Sequence, residues 1–202
     1  MMRNNIVKNI KLKDFLISLA KYVLSVIWIV GFTISTAVYI KEFKTYINLG
    51  LFAIIILIPF LNRHELMFIS GISVAITQWI LKNYQLSPWY FIIYGIAGFI
   101  AHGYIIFPSK QGNTRDNSIW IIPLKEDRVL TKNNIYIIYS LLTVIIGTSL
   151  LDLFLYGKLM FLLRFPIHII ETMLSGILAS ILLSLYIELK FGKHEYSFKK
   201  NS

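Results

Sequence analysis

Long apolar runs with few charges constrain this chain more than any other feature of its sequence. A helix of about 20 residues crosses the hydrocarbon core of a membrane. Runs near that length cover residues 22–40, 46–61, 66–81, 89–107, 135–156 and 165–187. Hydrophobic residues make up 56% of the 202 residues, which is more than one soluble core of this size needs. We therefore predict an all-α, multi-pass membrane protein with six transmembrane helices in a single domain, residues 1–202.

The second and third runs are short for membrane spans. Only the charged turn NRHE, at positions 62–65, separates them. Residues 46–81 therefore fit either two short spans or one re-entrant hairpin, and we favour two spans. The pair His64 and Glu65 is expected to be a solvated cap for the third helix.

The positive charges predict the orientation of these spans. Cytoplasmic connections carry an excess of Lys and Arg. Fifteen of the 20 Lys and Arg residues lie in the segments on one side, namely residues 1–21, the turn at 62–65, the long loop at 108–134 and the C-terminal tail. We therefore expect a cell-membrane protein with both termini in the cytoplasm. The net charge of +10 then points to anionic lipids of the inner leaflet as partners, not to nucleic acid.

Two cytoplasmic segments are expected to lie near the inner leaflet. The basic juxtamembrane segment, residues 1–21, mixes Lys with apolar residues. The long loop, residues 108–134, contains the run IWII at 119–122. Four apolar residues are too few to span a membrane. We expect them to dip into the inner leaflet or to dock on a partner subunit.

Polar residues collect at the outer ends of the predicted spans. The sixth span begins there with Arg164, His168 and Glu171, and the fifth ends there with Asp152. At about 100° per residue, His168, Glu171 and Ser175 share one face of their helix. The candidate ligand-binding residues at this level are Glu171, His168, Asp152, Arg164, Gln78, Trp89, Tyr90 and Ser175.

A carboxylate inside a membrane is costly unless it is paired or hydrated. We therefore expect Glu171 to pair with His168 or Arg164. The group is then either a structural contact between the fifth and sixth spans or the lining of a polar pocket open to the outside, as a small-molecule site requires. His102 is alone on an apolar face near the inner end of the fourth span. It is expected to be a packing residue with its hydrogen bonds satisfied.

The leading functional interpretation is a small-solute binding or transport subunit. In size, span number and the side on which the site opens, the chain is similar to the substrate-binding membrane components of bacterial vitamin importers. The A-x-x-x-A pattern of their first helix is absent. The resemblance implies partner membrane or ATPase subunits for energised import, since the chain has no ATP-binding motif. No cofactor is predicted.

Two other interpretations remain open. The chain could be an intramembrane enzyme that acts on lipid or peptide at the outer leaflet. In that case His168 and Glu171, three residues apart and helped by Asp152, would bind a metal or act as a base with its orienting carboxylate. The absence of Cys excludes cysteine nucleophiles and thiolate metal sites. The third interpretation is a non-catalytic accessory, immunity or scaffold protein that works through its long loop.

Overall fold

The computed structural model describes residues 2–43, 45–106, 131–132 and 134–191. Its helices are α1 (Met2–Ser35), α2 (Gly50–Ile56), α3 (Arg63–Ile80), α4 (Ser87–Ala101) and α5 (Asn134–Phe191). Two short antiparallel pairs join β1 (Val38–Ile40) to β2 (Thr45–Ile47) and β3 (Ile105–Ile106) to β4 (Thr131–Lys132). The described residues are mostly helical, which confirms the all-α class. The apolar run at 119–122 lies outside the described residues, and the single-domain organisation stays a prediction.

Helix α5 is broken at Gly157 and folds back on itself. Gly157 has φ 81° and ψ 177°, a conformation that L residues rarely adopt. Asp152 and His168 would be about 24 Å apart along one straight helix, yet their side chains lie 2.8 Å apart. A Cβ placed on Gly176 would lie 2.6 Å from Leu141 Cδ2, so the two arms also approach closely farther from the break. We call residues 134–156 the first arm and residues 158–191 the second arm. They correspond to the predicted fifth and sixth spans.

Two helical segments among the described residues are long and apolar enough to cross a membrane. They are Asp14–Ser35 in α1 and Asn134–Ile187 in α5. The second segment contains the break at Gly157, so it includes most of both arms. Helices α2, α3 and α4 do not meet the same test of length and composition. Six spans are therefore not established, and the bundle of six remains a proposal.

The prediction of one continuous helix over residues 46–61 is wrong. The chain leaves α1 at Ser35, not at 40, and β1 and β2 form a hairpin in which Val38 is paired with Ile47. Non-helical backbone continues to position 49, and we call β2 together with the two residues after it, 45–49, the extended segment. The helix that follows, α2, has only 7 residues. Val, Ile, Tyr and Thr in both strands favour extended structure, and apolar content alone does not separate a strand from a helix.

Helices α3 and α4 form a tight antiparallel pair. Asn62 caps α3 by accepting a hydrogen bond from the Glu65 backbone, and the Glu65 side chain accepts one from the Asn62 backbone in return. The prediction that Glu65 caps the third helix is thus confirmed. A Cβ on Gly71 would lie 2.7 Å from the Phe91 carbonyl oxygen, so the pair can approach this closely only because Gly71 has no side chain.

Helix α2 lies at the centre of the protein. Residues 51–55 are all buried. Helix α2 packs against α1, α3, α4 and α5. Because the extended segment 45–49 leads directly into this buried helix, its backbone is held inside the bundle. That placement brings Asn48 beside the second arm of α5.

Candidate functional site

A polar cavity lies between the extended segment 45–49, the α3–α4 pair and the two arms of α5. Its volume is about 30 Å³. One water molecule needs roughly 10–15 Å³ of such space, so the cavity has room for a few waters or a small ion. The predicted site residues that line it are Gln78, Tyr90, Asp152, Arg164, His168 and Glu171.

Asp152 is the centre of the charged group in this cavity. Its Oδ1 accepts a hydrogen bond from Arg164 Nη1 at 2.9 Å, and its Oδ2 lies 2.8 Å from His168 Nε2. The Arg164 and Asp152 side chains are 5% and 7% exposed, so this is a buried ion pair. The break at Gly157 makes the contact possible, because it turns the second arm back against Asp152. We call Asp152, Arg164 and His168 the Asp152 cluster.

Arg164 also links the cluster to the β1–β2 hairpin. Its Nε donates a hydrogen bond to the Phe43 carbonyl oxygen at 2.8 Å. Its guanidinium carbon lies 4.5 Å from the centre of the Tyr156 ring, at a distance typical of a cation–π contact. One side chain therefore joins both arms of α5 and the hairpin, whose Thr45 and Tyr46 line the same cavity.

The expected pairing of Glu171 with His168 or Arg164 is wrong, because both of those residues contact Asp152 instead. Glu171 Oε1 accepts one hydrogen bond, from the Asn48 backbone N–H at 3.3 Å. Within the part of the chain that the structure describes, no Lys, Arg or His nitrogen lies within 4.0 Å of the Glu171 carboxylate. Glu171 is 9% exposed. It is therefore a buried carboxylate without a cationic partner among the described residues.

Amide and hydroxyl groups complete the walls of the cavity. Asn83 Nδ2 donates to Gln78 Oε1 at 3.2 Å, on the side formed by the α3–α4 turn. The rings of Tyr90 and Tyr94 stack with their centres 5.6 Å apart on α4. Thr172, next to Glu171 on the second arm, also lines the cavity. These groups offer oxygen atoms, and the Asp152 cluster adds the nitrogen donors of Arg164 and His168.

Two predicted site residues lie elsewhere. Trp89 does not line the cavity and is 52% exposed. Ser175 is fully buried on the second arm, one turn farther from the cavity than Glu171. Its Oγ has no hydrogen-bond partner in the described structure. Whether the six lining residues bind a ligand stays a prediction.

Sequence reasoning missed Asn48 and Tyr94. Asn48 is a polar residue within an apolar run, but the prediction of a continuous helix there would have used its backbone N–H inside that helix and not for Glu171. Tyr94 follows Tyr90 by four residues, so the two share a face of α4 and could have been assigned together.

The metal alternative is not supported by the geometry. Among the described residues, no three His, Asp or Glu side chains come close enough to hold a metal ion. Of the proposed ligands, only His168 and Asp152 are in contact. Glu171 shares a helix face with His168 but accepts its hydrogen bond from the Asn48 backbone instead.

A second polar group lies near the start of α3. Glu65 accepts hydrogen bonds from Lys21, at 2.8 Å, and from the Tyr22 hydroxyl of α1. Burial acts to raise the pKa of the Glu65 carboxyl, but the hydrogen bonds from Lys21, Tyr22 and the Asn62 backbone outweigh it, so the pKa lies below its usual value. Glu65 is therefore not the solvated residue that was predicted. His102 is buried at the end of α4, and its Nε2 has no hydrogen-bond partner within the described residues, contrary to expectation.

No protein-family model matches this chain, and no curated protein matches it at a significant level.

Proposed function

We propose that this chain is a six-span protein of the cell membrane that binds a small solute in an outward-facing polar cavity, as a binding or transport subunit. Both termini are in the cytoplasm in this proposal. The observation that carries it is the convergence of the Asp152 cluster and the unpaired Glu171 carboxylate on one cavity. Ionisable groups inside a membrane protein are costly and mark ligand or ion pathways more often than structural contacts.

The exposed apolar surface supports placement in a membrane. Phe154 is 82% exposed, and Leu24 and Ile170 are each more than half exposed. Such surface along both α1 and α5 would be unfavourable in water. The extended segment 45–49 is compatible with this placement, since non-helical backbone is tolerated at membrane depth where it is buried or lines a polar cavity.

The size of the cavity limits what it can hold. About 30 Å³ suits an ion, water or the polar end of a solute, and a vitamin-sized molecule would require the walls to move. One wall is the β1–β2 hairpin, which Arg164 contacts through the Phe43 carbonyl. Transport of a larger solute would therefore involve displacement of this hairpin, and energised import would require ATPase or membrane partners.

Thermal unfolding of the purified full-length protein in a panel of small solutes tests this proposal. The panel contains monovalent cations, small amines, amino acids, sugars and carboxylates. A solute at 100 times its dissociation constant stabilises the folded protein by about 2.7 kcal/mol, which is readily measured as a rise in Tm. We expect at least one solute class to raise the Tm of the wild type but not that of Glu171→Gln.

The matched control is Glu42→Gln, because Glu42 is an exposed carboxylate in the hairpin turn and undergoes the same chemical change. It should respond to the solute as the wild type does. If Glu171→Gln lowers the Tm but keeps the full response to the solute, Glu171 is a structural contact only. If no solute class changes the Tm of the wild type, the cavity is not a solute site.

A second candidate is an enzyme at the outer leaflet. The observation that favours it is the contact between His168 Nε2 and Asp152 Oδ2 at 2.8 Å, which is the arrangement of a base with an orienting carboxylate. Hydrolysis of a phospholipid or peptide by the protein in lipid nanodiscs, lost in His168→Gln, would support this candidate over a binding subunit.

A further inference from the structure

Within the part of the chain that the structure describes, the cations that line the cavity contact Asp152 and not Glu171. Arg164 and Asp152 form one ion pair, and the second contact of Asp152 is with His168. Among the described residues that line the cavity, both nitrogen-bearing ionisable side chains therefore contact Asp152, and neither lies within 4.0 Å of the Glu171 carboxylate. A buried carboxylate must be neutralised by a proton or by a cation, since an isolated ion in an apolar interior is very costly.

The groups nearest Glu171 along the chain and across the cavity supply oxygen atoms. Thr172 follows it on the second arm, and the hydroxyl-bearing Thr148, Tyr90 and Tyr94 line the same space. Alkali and ammonium cations are bound by carboxylate, hydroxyl and carbonyl oxygens of this kind. The nitrogen donors of Arg164 and His168 face the cavity as well, but each contacts an oxygen of Asp152.

We propose that the cavity binds one small monovalent cation, an alkali ion or ammonium, with Glu171 as its counter-charge. This inference rests on the proposed function and names the class of solute. The single Glu171 carboxylate balances one positive charge, whereas a divalent ion would keep a charge of +1 beside it, because Asp152 is already paired with Arg164. A volume of about 30 Å³ admits an ion of this size and excludes bulky organic cations.

Chemical labelling of Glu171 with a hydrophobic carbodiimide tests the inference on the wild-type protein. The reagent forms an adduct with a protonated carboxyl in an apolar environment, so a bound cation should protect Glu171. Labelling is followed by mass spectrometry in sodium, potassium, lithium or ammonium chloride, with choline chloride at the same ionic strength as the control. At a cation concentration ten times its dissociation constant, we expect the labelling rate to fall about tenfold, with no protection by choline.

Two variants sharpen this experiment. Glu171→Asp keeps the charge but shortens the side chain by one methylene group. The cation concentration that halves the labelling rate of residue 171 should therefore rise several-fold. Glu42→Gln leaves the cavity unchanged and should keep the wild-type concentration. Because the main measurement uses the wild type, the test does not depend on the folding of either variant.

Each outcome has a defined meaning. Protection by one or more small cations but not by choline supports the inference and identifies which cation binds. Equal protection by choline, or labelling that no cation alters, would overturn it and would mean that Glu171 is neutralised by a proton. If a neutral or anionic solute still raises the Tm in the panel described above, the proposed binding function survives that failure. If no solute does, both proposals fail.

Discussion

Replacement of Asp152 by Asn should destabilise the protein strongly, because it removes the charge of one member of a buried ion pair. Both side chains are almost fully buried, at 7% and 5% exposure. Removal of one partner of a buried ion pair costs about 3–5 kcal/mol. The Phe43 carbonyl and the Tyr156 ring still contact Arg164, so we expect the lower end of that range, about 3 kcal/mol.

The free energy of unfolding can be measured by titration with dodecyl sulfate in mixed micelles, followed by circular dichroism. Asp14→Asn serves as the control, because Asp14 is an exposed carboxylate on α1, and should change stability by less than about 0.5 kcal/mol.

A double-mutant cycle identifies the cause of the loss. If the broken ion pair between Asp152 and Arg164 dominates, addition of Arg164→Gln to Asp152→Asn should recover at least about 1 kcal/mol relative to the sum of the two single changes. The reasoning is refuted if Asp152→Asn costs less than about 1 kcal/mol, or if the two single changes are simply additive.

Three further predictions follow from other parts of the fold. The pKa of the Glu65 carboxyl is lowered in the folded state. The contribution of Glu65 to stability is therefore present above the unfolded pKa and is lost as the pH falls through the folded pKa. Glu65→Gln should make the decline of Tm at acidic pH less steep. Gly71→Ala should lower the free energy of unfolding by about 1–3 kcal/mol, because the added Cβ would lie 2.7 Å from the Phe91 carbonyl oxygen. The control Gly31→Ala, whose Cβ would have no atom within 4 Å, should be neutral or stabilising in the same unfolding assay. Reporter tags at both termini and in the loop 108–134 should be cytoplasmic, and an external signal from any of them would reverse the assignment of an outward-facing cavity.

Local features of the sequence were sufficient to predict most helices. The charged turn before α3 was predicted to cap it through His64 and Glu65. The structure forms the cap with Asn62 and Glu65, whose spacing is that of a capping box and depends only on neighbouring residues. The apolar runs at 66–81 and 89–107 correspond to α3 and α4, although both helices begin and end a few residues away from the predicted bounds. The same reasoning failed at 46–61, where apolar content did not distinguish an extended segment from a helix.

The candidate site was predictable as a set of residues but not as a set of contacts. The depth assigned to each polar residue brought Gln78, Asp152 and Glu171 to one level, and all three line the cavity. The depth of a residue in the membrane can be predicted from the sequence. It follows from the position of the residue along its apolar run and from the side of the membrane on which that run is predicted to end.

The pairing of those charges was decided by tertiary structure. Spacing along one helix suggested that Glu171 would pair with a residue on the same helix. The break at Gly157 instead turns the second arm back, so that Arg164 and His168 both contact Asp152 on the first arm. Glu171 instead meets the Asn48 backbone, from a segment more than 100 residues earlier in the chain. The helical periodicity of a sequence indicates which residues share a face of a helix. Which residues of other segments contact that face depends on tertiary packing, and here the packing pairs Asp152 and leaves Glu171 without a cationic partner among the described residues.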